Sequence, residues 1–133
     1  MSSFKNDYSF GTKNEDTVLI KIEKHFNDNI KKSSSSVSRY DFKGDTYYYE
    51  LKTRNNKYNT YPTTLIPYNK IIEGKKQIFL FDFIDGLYYI EYNKDVFSNF
   101  ELDEYVRNKR IDYNDKKSLY YFIQINKLIL INI

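Results

Sequence analysis

The sequence predicts an α/β fold: a mixed β-sheet flanked by helices. Three observations carry this. An amphipathic helical stretch opens the chain, two hairpin patterns follow, and a helical pattern separates them. The 133 residues suit a single domain spanning 1–133, with no internal repeat.

The elements follow in order. Met1 to Phe10 is read as loosely held. Thr12-x-x-Glu15 has the form of a capping box, and Val18, Leu19, Ile22, Phe26 and Ile30 recur at helical spacing. A helix is therefore expected from Asn14 to Lys31, ended by Lys31, Lys32 and the connector Ser33 to Ser36. Val37 to Lys43 and Thr46 to Arg54 are rich in β-branched and aromatic residues, with Gly44-Asp45 as the turn between them. Asn55 to Tyr61 is a polar loop. Pro62-Thr63-Thr64 caps an expected short helix from Leu65 to Lys76, with Pro67 tolerated in its first turn. Ile78 to Ile84 is nearly continuous apolar sequence, so this strand should be covered on both faces. Asp85-Gly86 turns it into Leu87 to Tyr92. Val96 to Lys109 is a short helix or irregular, Leu119 to Ile125 a strand, and Leu128 to Ile133 a strand or packed tail.

The first hairpin carries the chemistry. A two-residue loop at Gly44-Asp45 sets Lys43 opposite Thr46 and Asp41 opposite Tyr48. Side chains alternate along a strand, so Tyr48, Glu50 and Lys52 share one face with Asp41. Asp41 is then diagonal to Glu50, roughly 7–8 Å away at the backbone, and the two carboxylates can converge. A loop one residue longer would turn Asp41 to the other face. Two carboxylates and a lysine are what metal-dependent phosphodiester hydrolysis requires. Glu15 shares a helix face with Leu19, Ile22 and Phe26, so it points toward the protein body. It is either the partner of Thr12 in the capping box or an acidic member of the site.

Composition sets bounds. Charged residues at 29% and hydrophobic residues at 41% give an ordinary globular balance. Aromatics at 19%, nearly all Tyr and Phe, can fill a core while tyrosine hydroxyls reach water. A net charge of +3 permits nucleic-acid binding without requiring it. The absence of Cys excludes disulfides and thiol catalysis and favours an intracellular location. The polar N-terminus shows no secretory pattern, and no apolar run suits a membrane span. The abundance of Asn, Lys, Ile and Tyr also suits an AT-rich coding sequence.

The helix followed by Asp41 and Glu50-x-Lys52 on two strands of a hairpin resembles the PD-(D/E)xK nuclease superfamily. Its usual core is a helix, a three-stranded meander, a helix and a further strand. The resemblance runs from about Thr12 to Tyr92, with Tyr40 where the motif has proline. It implies a restriction-endonuclease-like three-layer sandwich and a Mg²⁺-dependent endonuclease, with Mn²⁺ as substitute. Asp41, Glu50 and the Leu51 carbonyl would hold the metal. Lys52 would orient or help deprotonate the attacking water, and Glu15 would serve a second metal or a metal-bound water. DNA contacts would come from Arg54, Lys57, Thr63, Thr64 and Lys70, and Tyr58 and Tyr61 would stack on bases or pack. The pattern is similar to that of small Holliday-junction resolvases and viral or phage nucleases. This implies branched DNA as a substrate, a homodimer, and a role in DNA recombination or repair, in a viral, phage or mobile-element setting.

Other readings stand beside these. Asp41, Glu50 and Lys52 would also form a plain cross-strand ion pair, and Lys70 a solvated helix lysine. Asp82 interrupts an apolar strand and needs a structural partner if buried. His25 is read as packing or surface, and Arg107, Lys109 and Arg110 as a solvated cluster. At the level of function, the alternatives are a non-catalytic nucleic-acid-binding or assembly module on the same fold, and an interaction protein with a tyrosine-rich surface.

Overall fold

The computed structural model describes residues 3–33, 39–105 and 118–132. Helix α1 (Ser3–Phe26) starts well before the expected Asn14 and takes in most of the stretch read as loose. It stops at Phe26 because Asn27 adopts the left-handed conformation, with φ 50°, that commonly closes helices. The expected Lys31 terminus is therefore corrected: Ile30 is buried beyond the helix, and Lys31–Lys32 is strand β1.

Strands β2 (Phe42–Lys43) and β3 (Tyr48–Thr53) form the motif hairpin. Then come β4 (Thr63–Pro67), β5 (Gln77–Phe83) and β6 (Gly86–Glu91). A one-turn helix α2 (Lys94–Phe97) precedes β7 (Glu101–Tyr105), β8 (Ser118–Gln124) and β9 (Ile129–Leu130). The protein is thus mixed α/β, with a six-stranded sheet ordered β1-β2-β3-β5-β6-β9 and a three-stranded sheet ordered β4-β8-β7. β1, β2 and β3 are an antiparallel meander, and β5 joins it parallel to β3.

The strand alternation divides the core in two. On one face of the large sheet, Phe42, Tyr49, Ile78, Leu80 and Leu87 pack with Val18 and Ile22 of α1. On the other, Phe79, Phe81, Phe83 and Ile90 pack with Ile66 of β4, Ile123 of β8 and Phe97 of α2. Each such side chain, fully buried, contributes about 1.5–3 kcal/mol. β5 is buried at every position except Asp82, as expected of a strand covered twice. Asp82 itself is only half-buried, which removes the demand for a charged partner.

The expected helix from Leu65 to Lys76 is overturned. Thr63–Pro67 is a strand with Thr64 and Ile66 buried in alternation, followed only by a 3₁₀ turn at Tyr68–Lys70. Ile66 precedes a proline and is biased to extended backbone, and the Thr-Thr-x-Ile run favours strand. The second face of the large sheet is accordingly covered mainly by the small sheet, with Phe97 of the one-turn α2, and not by a helix over 65–76.

The hairpin turn also moves. The Gly44 N–H donates to the Tyr47 carbonyl at 2.8 Å, so Asp45-Thr46 is the loop. Lys43 pairs with Tyr48 and Phe42 with Tyr49, in place of the expected pairing of Lys43 with Thr46. The reason lies outside the hairpin: the Asp28 carboxylate accepts hydrogen bonds from the N–H groups of Asp45 and Thr46 and from the Tyr49 hydroxyl. Val37, Arg107, Lys109 and Arg110 lie outside the described residues.

Candidate active site

Moving a two-residue turn by one position shifts the strand register by two, which preserves the face of every side chain. β3 thus keeps Tyr49 and Leu51 on the α1 side and Glu50 and Lys52 on the other. Asp41 is placed more closely than expected. Its N–H donates to the Tyr49 carbonyl, its carbonyl accepts from Ser33, and its Oδ2 accepts from the Leu51 N–H at 2.8 Å. The carboxylate therefore stands at the end of β2 and takes the place of a main-chain acceptor beside Leu51. It is not opposite Tyr48.

Glu50 is only 6% exposed. Its strand neighbour on β5 is Phe79, and that of Lys52 is Phe81, so each charged residue has an aromatic residue beside it in the sheet. Lys52 Nζ and Lys70 Nζ each lie 3.4 Å from Glu50 Oε1. Burial raises the Glu50 pKa, the Asp41 carboxylate raises it further, and the two lysines oppose the shift. Burial lowers the Lys52 pKa, and Glu50 opposes that. The Glu15 pKa is raised, first by burial and next by Asp41, against the pull of Lys32. Asp41 thus acts electrostatically on both Glu15 and Glu50.

Glu15 and Thr12 both lie inside α1, so no capping box forms there. Asn14 Nδ2 donates to Thr53 Oγ1 at 3.4 Å, which ties this part of α1 to the end of β3.

The expected DNA-contacting residues divide. Lys70 reaches the site from the 3₁₀ turn, not from a helix. Arg54 is engaged within the protein: Nε donates to Thr64 Oγ1, Nη2 donates to the Leu65 carbonyl, and the guanidinium lies over the Phe81 ring. Thr64 is buried, and Thr63 is half-buried at the start of a strand, so neither caps a helix. Lys57 is exposed. Tyr58 stacks on Tyr88 at 4.1 Å and donates to the Ile125 carbonyl, so it packs. Tyr61 stands exposed. His25 is exposed and makes edge contacts with Phe26 and Tyr89, as expected of a packing residue.

Sequence reasoning missed two supports of the Lys70 turn. Buried Gln77 donates through Nε2 to the Lys70 carbonyl and accepts from the Ile72 N–H through Oε1. Arg39 Nη2 donates to the carbonyls of Asn69 and Ile71. The available signal was a lone amide at the head of an apolar strand.

Hard divalent cations take oxygen donors, often one or two carboxylates with backbone carbonyls and waters. Asp41 and Glu50, with the carbonyl of Leu51 next to Glu50 in the chain, suit that chemistry. Among the described residues, no group of three His, Asp or Glu side chains is close enough to form a ready metal cage. Nor is any described helix long and apolar enough to cross a membrane. Comparison of the chain with protein-family models, with curated proteins and with solved structures found no match.

Proposed function

We propose that this protein is a metal-dependent endonuclease of the PD-(D/E)xK type that hydrolyses DNA phosphodiester bonds. One observation carries the reading: a buried Glu50 held between Lys52 and Lys70, with Asp41 close enough to disturb it. Burying charges costs several kcal/mol per ion even when they are paired. The neighbouring β5 positions on this face are Phe79 and Phe81, so apolar residues would fit β3 equally well. A fold that keeps such a cluster beside aromatic strand neighbours has a use for it.

Asp41, Glu50 and the Leu51 carbonyl would hold Mg²⁺ or Mn²⁺, and Glu15 would serve a second ion or an ion-bound water. When bound, the ion supplies charge neutralisation at the phosphate and a more acidic water. Lys52 holds and orients a water by hydrogen bonding. Its lowered pKa leaves more of it neutral than an ordinary lysine, and only the neutral amine can accept a proton. Lys70 supplies a second positive charge toward the phosphoryl oxygens. The helix, the β1-β2-β3 meander and the further strand β5 follow the order of the restriction-endonuclease-like core, with β4 and its 3₁₀ turn in place of the second helix. Symmetric cutting of a four-way junction would need a second copy of the chain.

The test is cleavage of supercoiled plasmid and a four-way junction with Mg²⁺ or Mn²⁺ by wild type, Glu50→Ala and Lys52→Ala. Cutting by wild type that both variants lose supports the nuclease. A folded wild type that cuts neither substrate, while all three proteins bind DNA equally, turns the assignment to a non-catalytic binding module.

A further inference from the structure

Building on the nuclease reading, we propose that a cavity beside Lys52 receives one unpaired base of a nucleic-acid strand. The protein would then act where bases are single-stranded or extruded. The cavity measures about 590 Å³, and Lys52 is part of its wall. That size is ample for a nucleotide, within the roughly 300–1,000 Å³ of small-molecule sites.

The strand register explains the lining. Leu65 pairs with Phe122 and Pro67 with Tyr120, so these four side chains share one face of the small sheet. That face is turned away from Ile66 and Ile123, which fill the core. The cavity thus has aromatic, proline and leucine walls. Tyr61, 60% exposed, also lines it. Asn56 and Thr63 add an amide and a hydroxyl able to meet the polar edge of a base.

Charge fixes the orientation. Lys52 and Arg54 border the cavity on the β3 side. On the far side, exposed Glu101 and Asp103 of β7 are in register with Phe122 and Tyr120. A phosphate chain is attracted to the cationic β3 side of the cavity and repelled by the acidic residues of β7 beyond it, so its base points into the cavity. A base still stacked in a duplex cannot enter such a recess, whereas an extruded one can stack on its walls.

The experiment uses two duplexes carrying 2-aminopurine, one fully paired and one with that base in a single-nucleotide bulge. Binding is measured in EDTA. The bulged duplex is expected to bind wild type about tenfold tighter and to change its fluorescence on binding. Tyr61→Ala should lose about five- to tenfold of the affinity for the bulge, Tyr61→Phe should keep it, and affinity for the paired duplex should stay the same. Equal affinity for the two duplexes, or equal weakening of both by Tyr61→Ala, overturns the cavity assignment. Cleavage of the same duplexes with Mg²⁺ tests the nuclease reading separately. Bulge-selective binding without cutting would keep the base site and remove the nuclease.

Discussion

Asp41 and Leu51 are joined by a hydrogen bond that strand pairing alone would not make: Asp41 Oδ2 accepts from the Leu51 N–H at 2.8 Å. One carboxylate oxygen completes the sheet while its charge acts on Glu15 and Glu50. The two duties separate by substitution. Asp41→Ala leaves the Leu51 N–H without its acceptor and should cost about 1–3 kcal/mol of stability. Asp41→Asn keeps an acceptor and removes the charge. Both should lower the proposed nuclease activity by about 100-fold or more.

The same pair of variants gives a pH prediction. The pKa values of Glu15 and Glu50 are raised in the fold above the ordinary 4.5. A raised carboxyl favours the folded state below its unfolded pKa, and that contribution is lost as pH rises through the folded value. At neutral pH the burial of these carboxylates and their crowding by Asp41 therefore weaken the fold. Asp41→Asn should be more stable than wild type at pH 7 by about 0.5–2 kcal/mol, the usual gain from relieving a functional site. The gap should close below about pH 4.5. Thermal unfolding at both pH values checks this, and Mg²⁺ should raise the midpoint of wild type more than that of the variant. A variant less stable than wild type at pH 7 would show that Asp41 does not crowd the other two.

Lys52 and Lys70 lie at the same distance from Glu50 but should fail differently. Lys52→Ala removes the group proposed to handle the water, so kcat of the proposed nuclease should fall by about 10²–10⁴. Lys70→Ala leaves that group and removes one of the charges holding the Glu50 pKa down. The Glu50 pKa should then rise further, moving the acid limb of the pH–rate profile to higher pH. Profiles that overlay would remove Lys70 from the site.

The contrast between the hairpin and the segment after it shows how much was legible. Alternation along Tyr48 to Lys52 placed Glu50 and Lys52 correctly because a two-residue register shift changes no face. The turn itself was misplaced because Asp28, distant in sequence, captures the N–H groups of Asp45 and Thr46. Ile78 to Ile84 was legible from its unbroken hydrophobicity. Leu65 to Lys76 was not, since its local pattern suits a helix until the constraint on Ile66 from Pro67 and pairing with β8 are counted. Glu15 read equally well as cap or site residue, because the start of a helix inside a long polar segment leaves no hydrophobic mark.

The turn makes its own prediction. A methyl group at Gly44 would overlap the Asp28 carboxylate. Gly44→Ala should displace Asp28 and cost about 1–3 kcal/mol. Asp28→Ala should cost a similar amount through the loss of its bonds to the turn and to Tyr49. If the energies of the double mutant add fully, the two residues are not coupled, and the turn is held by something else.

Arg54 should behave as a strut. Its bonds to Thr64 and Leu65 join β3 to β4 across the two sheets. Arg54→Lys cannot reproduce the fork, so both Arg54→Lys and Arg54→Ala should lose about 1–3 kcal/mol. Lys57→Ala, at an exposed position, should leave stability within about 0.5 kcal/mol of wild type. Urea unfolding of the three variants distinguishes the roles, and an Arg54→Lys protein as stable as wild type would count against the strut.

Gln77 positions Lys70 without touching Glu50. Its amide bridges the Lys70 carbonyl and the Ile72 N–H, closing the segment that follows the 3₁₀ turn. Gln77→Leu fills the space but leaves both backbone groups unpaired, at a cost of about 1–3 kcal/mol. With the turn loosened, Lys70 spends less time near Glu50, so the acid limb should move in the same direction as in Lys70→Ala, by a smaller amount. In the double variant Gln77→Leu/Lys70→Ala the limb should sit where Lys70→Ala alone puts it. A purely structural Gln77 would lower stability and leave the limb in place. A further shift in the double variant would mean that Gln77 acts on Glu50 by a route other than Lys70.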